Sequence, residues 1–277
     1  MEKKKTIEQR YKKLSQREHV LHRPGTYIGN INTELKDMFI VDNVDDLDNI
    51  KIVNKLVKYN PGFLKIFDEI LSNASDHSIR TNEVKYIKVN ITENSVTIEN
   101  DGPGIPIEIH KEYGIYVPEM LFGNLLSGEN FSDNEDRLVA GTNGIGSKAT
   151  NIFSKRFLVE TSDGKKQYNQ EFSNNLIDIG KPKITKSNKN YTKITYFPDF
   201  EKFGLESIDK EIEKLFLKRV IDIFTININT EFFSFKINVR HNPLLPIVNI
   251  VLIIIFQDNN SILKSERIGL CFKSFFK

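Results

Sequence analysis

At 277 residues, 39% hydrophobic and 27% charged, the chain is long enough to bury a substantial core and too apolar to read as a disordered tract. A net charge of +2 names no partner, since a basic groove can sit inside a balanced total. A single cysteine, Cys271, rules out an internal disulfide and a cysteine-based metal site and suits a reducing compartment.

The N-terminal M-E-K-K-K-T-I-E-Q-R has no apolar stretch, so it is no secretory signal, and its lysine run reads as a solvated end. From Thr6 to Val20, charged and apolar positions alternate as in a short amphipathic helix, which R-P-G-T-Y-I-G (Arg23 to Gly29) breaks with a turn. Asp42 to Asp48 reads as an acidic linker. After Asn60-Pro61-Gly62, the residues Leu64, Phe67, Ile70, Leu71 and Ala74 recur at helical spacing and predict a long helix ending near Arg80. Tyr86 to Thr92 and Ser95 to Glu99 alternate as an antiparallel hairpin around Glu93-Asn94. Ile107 to Ala140 is a long polar connection with one short helix, Pro118 to Leu126, and connections of that length are often lids. Strands are expected at Phe157 to Thr161, Gln167 to Phe172 and Thr192 to Phe197, and a last helix at Ile208 to Phe224. The apolar window Pro246 to Phe256 is shorter than the roughly 20 residues of a membrane helix and reads as a buried strand or a damaged tail. Strands and helices outside a βαβ rhythm predict an α+β sandwich rather than a Rossmann sheet.

Three segments carry chemistry. In F-D-E-I-L-S-N-A-S-D-H (Phe67 to His77), Glu69 and Asn73 stand four apart and share one helix face. A carboxylate so placed can deprotonate an attacking water, and an amide oxygen can complete an octahedral magnesium shell. By itself the pair far more often describes a solvated face, since E-x-x-x-N is a common spacing. In E-N-D-G-P-G-I-P (Glu99 to Pro106), Gly102 and Gly104 permit a tight turn and close backbone approach, and the amide or carboxylate before them can accept from an adenine amino group. The same residues also make an ordinary turn. In G-T-N-G-I-G-S-K (Gly141 to Lys148), glycine-loop N–H groups ahead of the helix-compatible Ala149 to Phe153 form an anion site, with Lys148 as a point charge. The order fits neither a Walker loop nor G-x-G-x-x-G. His19, His22, His77, His110 and His241 show no zinc spacing.

In sequence order, E-x-x-x-N, N-D-G-x-G-I-P and G-x-x-G-x-G-x-K resemble the GHKL ATPase superfamily. Finer matches, H-V-L-H-R-P-G-T-Y-I-G-N, P-G-F-L-K-I-F-D-E-I-L-S-N-A-S-D, Y-V-P-E-M-L-F-G-N-L-L and T-N-G-I-G-S-K-A-T-N-I-F-S, resemble eukaryotic-type DNA topoisomerase II from about Tyr11 to Val239. The resemblance implies a GHKL (Bergerat) two-layer α+β sandwich, a mixed sheet with helices on one face. It divides the chain into an N-terminal strap (1–30), the ATPase domain (31–225) and a transducer start or divergent tail (226–277). It implies an ATP- and Mg²⁺-dependent gate that dimerises with a second copy and, in a full-length enzyme, closes over double-stranded DNA. Glu69 becomes the general base, Asn73 the magnesium ligand and Asn100 the adenine contact beside Gly102 and Gly104. Asp76, Asn130, Gly141, Thr142, Asn143, Gly144, Ile145, Gly146, Ser147 and Lys148 become nucleotide contacts. The implied location is intracellular, in the nucleus, or in a cytoplasmic replication factory or virion if viral.

Departures from the pattern are His77 for an asparagine, Thr142 for an arginine, Ile145 for a tyrosine, and Gly128-Glu129 for the lid serines. The first two resemble large DNA-virus enzymes. After Arg240 the pattern stops, which is read as a truncated or frameshifted end, with a divergent transducer as the alternative. The transducer glutamine and lysine and the DNA-cleaving tyrosine are not found. The rival readings are an ATP-binding clamp without turnover and a chaperone or mismatch-repair relative.

Overall fold

A computed structural model describes residues 7, 13–42, 51–81, 83–125, 144–226, 232–239, 248–255 and 270–272, with side chains through Ile223. Among these, helix α1 (Gln16–His22) starts after Ser15, whose hydroxyl accepts the Glu18 N–H at 3.2 Å while Glu18 Oε2 accepts the Ser15 N–H at 2.8 Å. The helix expected from Thr6 to Val20 is thus not continuous: Ile7 is helical, residues 13–15 are not, and this capping box starts a separate helix. The expected turn at Arg23 is a second helical turn, α2 (Pro24–Tyr27), with proline at its first position, where a missing N–H costs nothing.

Two strands were not foreseen. β1 (Glu34–Asp42) and β2 (Lys51–Tyr59) form an antiparallel hairpin in which Asp42, the expected linker start, ends a strand opposite Lys51. Its inner face, with Ile40, Val57 and Tyr59, packs on Leu215 of helix α7 (Lys210–Ile226), which follows the one-turn helix α6 (Phe200–Phe203). Its outer face also carries apolar residues, Leu35, Phe39 and Leu56, which are exposed.

Among the described residues the main sheet holds ten strands in the order β12-β11-β10-β3-β4-β9-β5-β6-β7, with β8 also paired to β6. They are β3 (Tyr86–Ile91), β4 (Val96–Asp101), β5 (Ser154–Asp163), β6 (Lys166–Ser173), β7 (Asp178–Ile179), β8 (Lys183–Lys186), β9 (Asn190–Pro198), β10 (Phe232–Val239), β11 (Val248–Ile255) and β12 (Leu270–Phe272). The β10–β3 pairing is parallel and the others antiparallel, so the sheet is mixed, as expected. The predicted hairpin lies at β3–β4 and the predicted strands at β5, β6 and β9.

One sheet face is apolar: Ile87, Val89, Ile91, Val96, Ile98, Phe157, Val159, Tyr168, Phe172 and Ile194 are buried. On it lie α3 (Pro61–Thr81), α5 (Gly146–Ile152) and α7, joined by an aromatic cluster in which Phe67 stacks on Phe216 at 3.9 Å between ring centroids. The other face carries a charge row across four strands, in which Lys88 opposes Glu99, Glu99 opposes Lys193 and Lys193 opposes Glu160. Such alternation across a sheet is favourable at a wet surface. The result is an α+β two-layer sandwich with its helices on one face.

The candidate functional site

Helix α3 is positioned by Asn60, which accepts the Phe63 N–H at 2.9 Å and donates to the Phe203 carbonyl at 3.1 Å. Its apolar stripe, Phe63, Ile66, Phe67, Ile70, Leu71 and Ala74, is buried in the core. That leaves Glu69, Asn73 and Asp76 at i, i+4 and i+7 along one stripe of the helix. Glu69 is half-buried, Asn73 exposed and Asp76 buried, and Lys65 Nζ lies 2.5 Å from Glu69 Oε1.

The glycine loop meets this stripe. A Cβ at Gly146 would overlap the carboxylate of Glu69, so only glycine lets the first residue of α5 lie directly against that acid. The helix begins at Gly146, not at Ala149 as expected, and so draws Gly146, Ser147 and Lys148 into its first turn. Glycine is a poor helix former, and tertiary contact overrides that preference here. The Thr150 hydroxyl donates to the Ile66 carbonyl of α3 at 3.0 Å. The Asn151 amide donates to the Phe122 carbonyl at 3.0 Å, at the end of α4 (Val117–Gly123), the short helix expected in the long connection. Lys148 is 2% exposed and its Nζ donates to the Gly144 carbonyl. Burial pulls its pKa down from 10.5 to about 8.

The second wall is the turn after β4. Gly102 has φ 89°, a left-handed conformation that suits glycine. A Cβ at Gly104 would overlap the Ser162 carbonyl of β5. The Asn100 side chain is buried and donates to the Asp101 carbonyl at 2.8 Å. Asp101 accepts the Lys85 and Tyr86 N–H groups at 2.9 Å each, so its carboxylate braces the start of β3. Thr161, fully buried, accepts the Ile105 N–H at 3.0 Å and donates to the Tyr191 carbonyl at 3.1 Å, fixing the turn to the sheet. Sequence reasoning missed Thr161, because a threonine in a strand carries no pattern that marks it.

Glu69, Gly144, Ile145, Gly146, Ser147 and Lys148 thus gather where α3 meets α5. Asn73 and Asp76 follow along α3, and Asn100, Gly102 and Gly104 form the β4–β5 wall. Asn130, Gly141, Thr142 and Asn143, with the lid residues Gly128 and Glu129, lie outside the described residues. Among the described residues no three His, Cys, Asp or Glu side chains are grouped to hold a metal ion. No helix among them is long and apolar enough to cross a membrane.

Residues 60–201 match the model of the histidine kinase-, DNA gyrase B- and HSP90-like ATPase family, a span that holds both walls. The chain is 42% identical over 243 residues to the DNA topoisomerase 2 of Acanthamoeba polyphaga mimivirus, a match that covers 86% of this chain and 19% of that protein. The crystal structure of the ATPase region of Saccharomyces cerevisiae topoisomerase II superposes with a TM-score of 0.75 at 40% identity, covering 83% of this chain and 61% of that one. The ATPase and transducer domains of DNA topoisomerase II from Balamuthia mandrillaris give a TM-score of 0.78 at 36% identity, over 84% and 61%. The chain therefore spans about a fifth of the length of the curated mimivirus relative. By fold, by the placement of its glycine turns and by these matches, the chain belongs to the histidine kinase-, DNA gyrase B- and HSP90-like ATPase family.

Proposed function

We propose that this chain is the N-terminal ATPase gate of a type II DNA topoisomerase, in which ATP binding closes two copies over a DNA duplex and hydrolysis resets them. The observation that carries the reading is the fit of Gly146 against the Glu69 carboxylate, which puts an acid beside the helix N-terminus that closes the glycine loop. In this reading the loop N–H groups and the buried Lys148 ammonium hold the triphosphate, while Gly104 and Asn100 bound the adenine. Glu69 takes the proton of a water that attacks the γ-phosphorus, the bond to the β,γ-bridging oxygen breaks, and ADP and phosphate leave. Lys65 steadies the carboxylate from one side and leaves Oε2 towards the loop. A hard, exposed amide oxygen on Asn73 suits Mg²⁺ when triphosphate oxygens and water supply the other positions. When bound, the ion would neutralise phosphate charge. Closure over DNA and strand passage belong to the longer protein whose relatives bear the topoisomerase name, and are proposed on that likeness.

The test is Glu69→Gln, which keeps size and hydrogen bonding but removes the base. Turnover should fall by about 10²–10⁴-fold with ATP affinity within a few-fold of the parent. Undiminished turnover in that variant refutes the assignment of Glu69, and absence of ATP binding by the parent chain refutes the whole reading.

A further inference from the structure

Between β6 and β7 the backbone does something costly. Asn174, Asn175 and Leu176 have φ of 52°, 57° and 62°, three consecutive non-glycine residues in the left-handed region. Asparagine tolerates that region singly, but a run of three persists only where surrounding contacts over-determine it. Those contacts lead to the C-terminal end of α5 on one side and to α1 on the other. The Asn175 amide donates one hydrogen to the Ile152 carbonyl, the last residue of α5, at 3.0 Å and one to Asp199 Oδ2 at 3.0 Å. Asp199 is buried, flanked by Lys155 at 3.2 Å and Lys202 at 3.8 Å, and its own N–H donates to the Phe153 carbonyl at 2.9 Å. From the other side, Arg17 of α1 donates through Nε to the Asn175 carbonyl at 2.6 Å. The N-terminal helix, the left-handed turn and the C-terminal end of α5 are therefore one hydrogen-bonded chain.

The opposite end of α5 is Gly146, against Glu69. A seven-residue helix is a short stiff rod, so a tilt at Ile152 moves Gly146 and the N–H groups beside it. We propose that Arg17 and Asn175 are positioning residues for the phosphate loop, coupling the docking of α1 to the placement of Gly146–Lys148. The proposal rests on reading that loop as the nucleotide's phosphate site. Neither residue touches the site; each acts through α5. The left-handed turn is the seat that lets one asparagine side chain reach a helix carbonyl and a buried carboxylate while its main-chain carbonyl faces the arm.

The measurement is made on the whole chain with Asn175→Gly, Arg17→Ala and Arg17→Lys. Glycine adopts the left-handed conformation freely, so Asn175→Gly deletes only the amide. Hydrogen exchange is followed at Ile145–Ala149 without nucleotide, and calorimetry gives affinities for a non-hydrolysable ATP analogue and for adenosine. Asn175→Gly and Arg17→Ala should speed exchange in the loop roughly tenfold and lower the ratio of analogue to adenosine affinity by a similar factor. Arg17→Lys, which keeps a donor, should restore most of both. A purely structural role would weaken the two ligands together or lower the melting temperature without changing the ratio, and that outcome overturns the proposal. If the parent binds no ATP analogue, the nucleotide reading falls, and the exchange data alone decide the coupling: faster loop exchange supports it and unchanged exchange overturns it.

Discussion

Gly104 and Gly146 sit on opposite walls of the site, and each is a glycine because something occupies the place of its side chain. At Gly104 the obstacle is a main-chain carbonyl, Ser162 O, inside the β5–β9 ladder. At Gly146 it is the tip of a side chain, the Glu69 carboxylate, on a helix that would hold its place if that tip swung away. The wall proposed to meet adenine is thus fixed by backbone and by Thr161, while the wall proposed to meet phosphate is fixed by ionisable side chains, Glu69 and Lys148. The two walls should also fail differently.

Gly104→Ala gives the larger effect. The sheet cannot yield without breaking ladder bonds, so overpacking should cost about 3 kcal/mol, roughly 6–12 °C in melting temperature for a chain of this size. Loss should appear in circular dichroism melts with or without nucleotide. Gly146→Ala should leave the melt within about 2 °C, because Glu69 can rotate aside. A misplaced acid instead should lower turnover by about 10²-fold with adenosine affinity kept. If Gly146→Ala proves as destabilising as Gly104→Ala, the side-chain wall is as rigid as the backbone wall and the contrast is lost.

How much of this was legible beforehand depends on where each signal is stored. Leu64, Phe67, Ile70 and Leu71 announce α3 because one face of that helix alone meets the core, and periodicity reports that directly. The β3–β4 hairpin is legible for the same reason, with Val89 and Ile98 inward and Lys88 and Glu99 outward. The β1–β2 hairpin was not, because Leu35, Phe39 and Leu56 sit on its outer face while Ile40 and Val57 sit on its inner one, and apolar residues on both faces erase the alternation. Within the site, Glu69 and the glycine turns show in local sequence, whereas the role of Thr161 and the left-handed run at Asn174–Leu176 exist only through contacts distant in the chain. Nor does anything local say that Lys148 is buried, since α3 and the rest of the packed core do that.

Lys148 gives the smallest and most selective prediction. Its pKa falls from 10.5 to about 8 because burial penalises the ammonium, so in the nucleotide-free chain the protonated form costs stability below pH 8. That cost is relieved as pH rises from about 8 towards 10.5, and this residue alone should make the chain slightly more stable there. Phosphate binding runs the other way, because a triphosphate favours the ammonium. Above pH 8, ATP should bind with uptake of a proton, seen as a buffer-dependent enthalpy, and its affinity should fall by up to about tenfold per pH unit. In this reading adenosine meets only the other wall, where Asn100, Gly102, Gly104 and Thr161 carry no ionisable side chain. Its affinity should therefore be flat between pH 7 and 9, and Lys148→Gln should flatten ATP to match. Parallel loss of both ligands with pH would mean that the two walls share one titrating group, and the division between backbone and ionisable support would have to be given up.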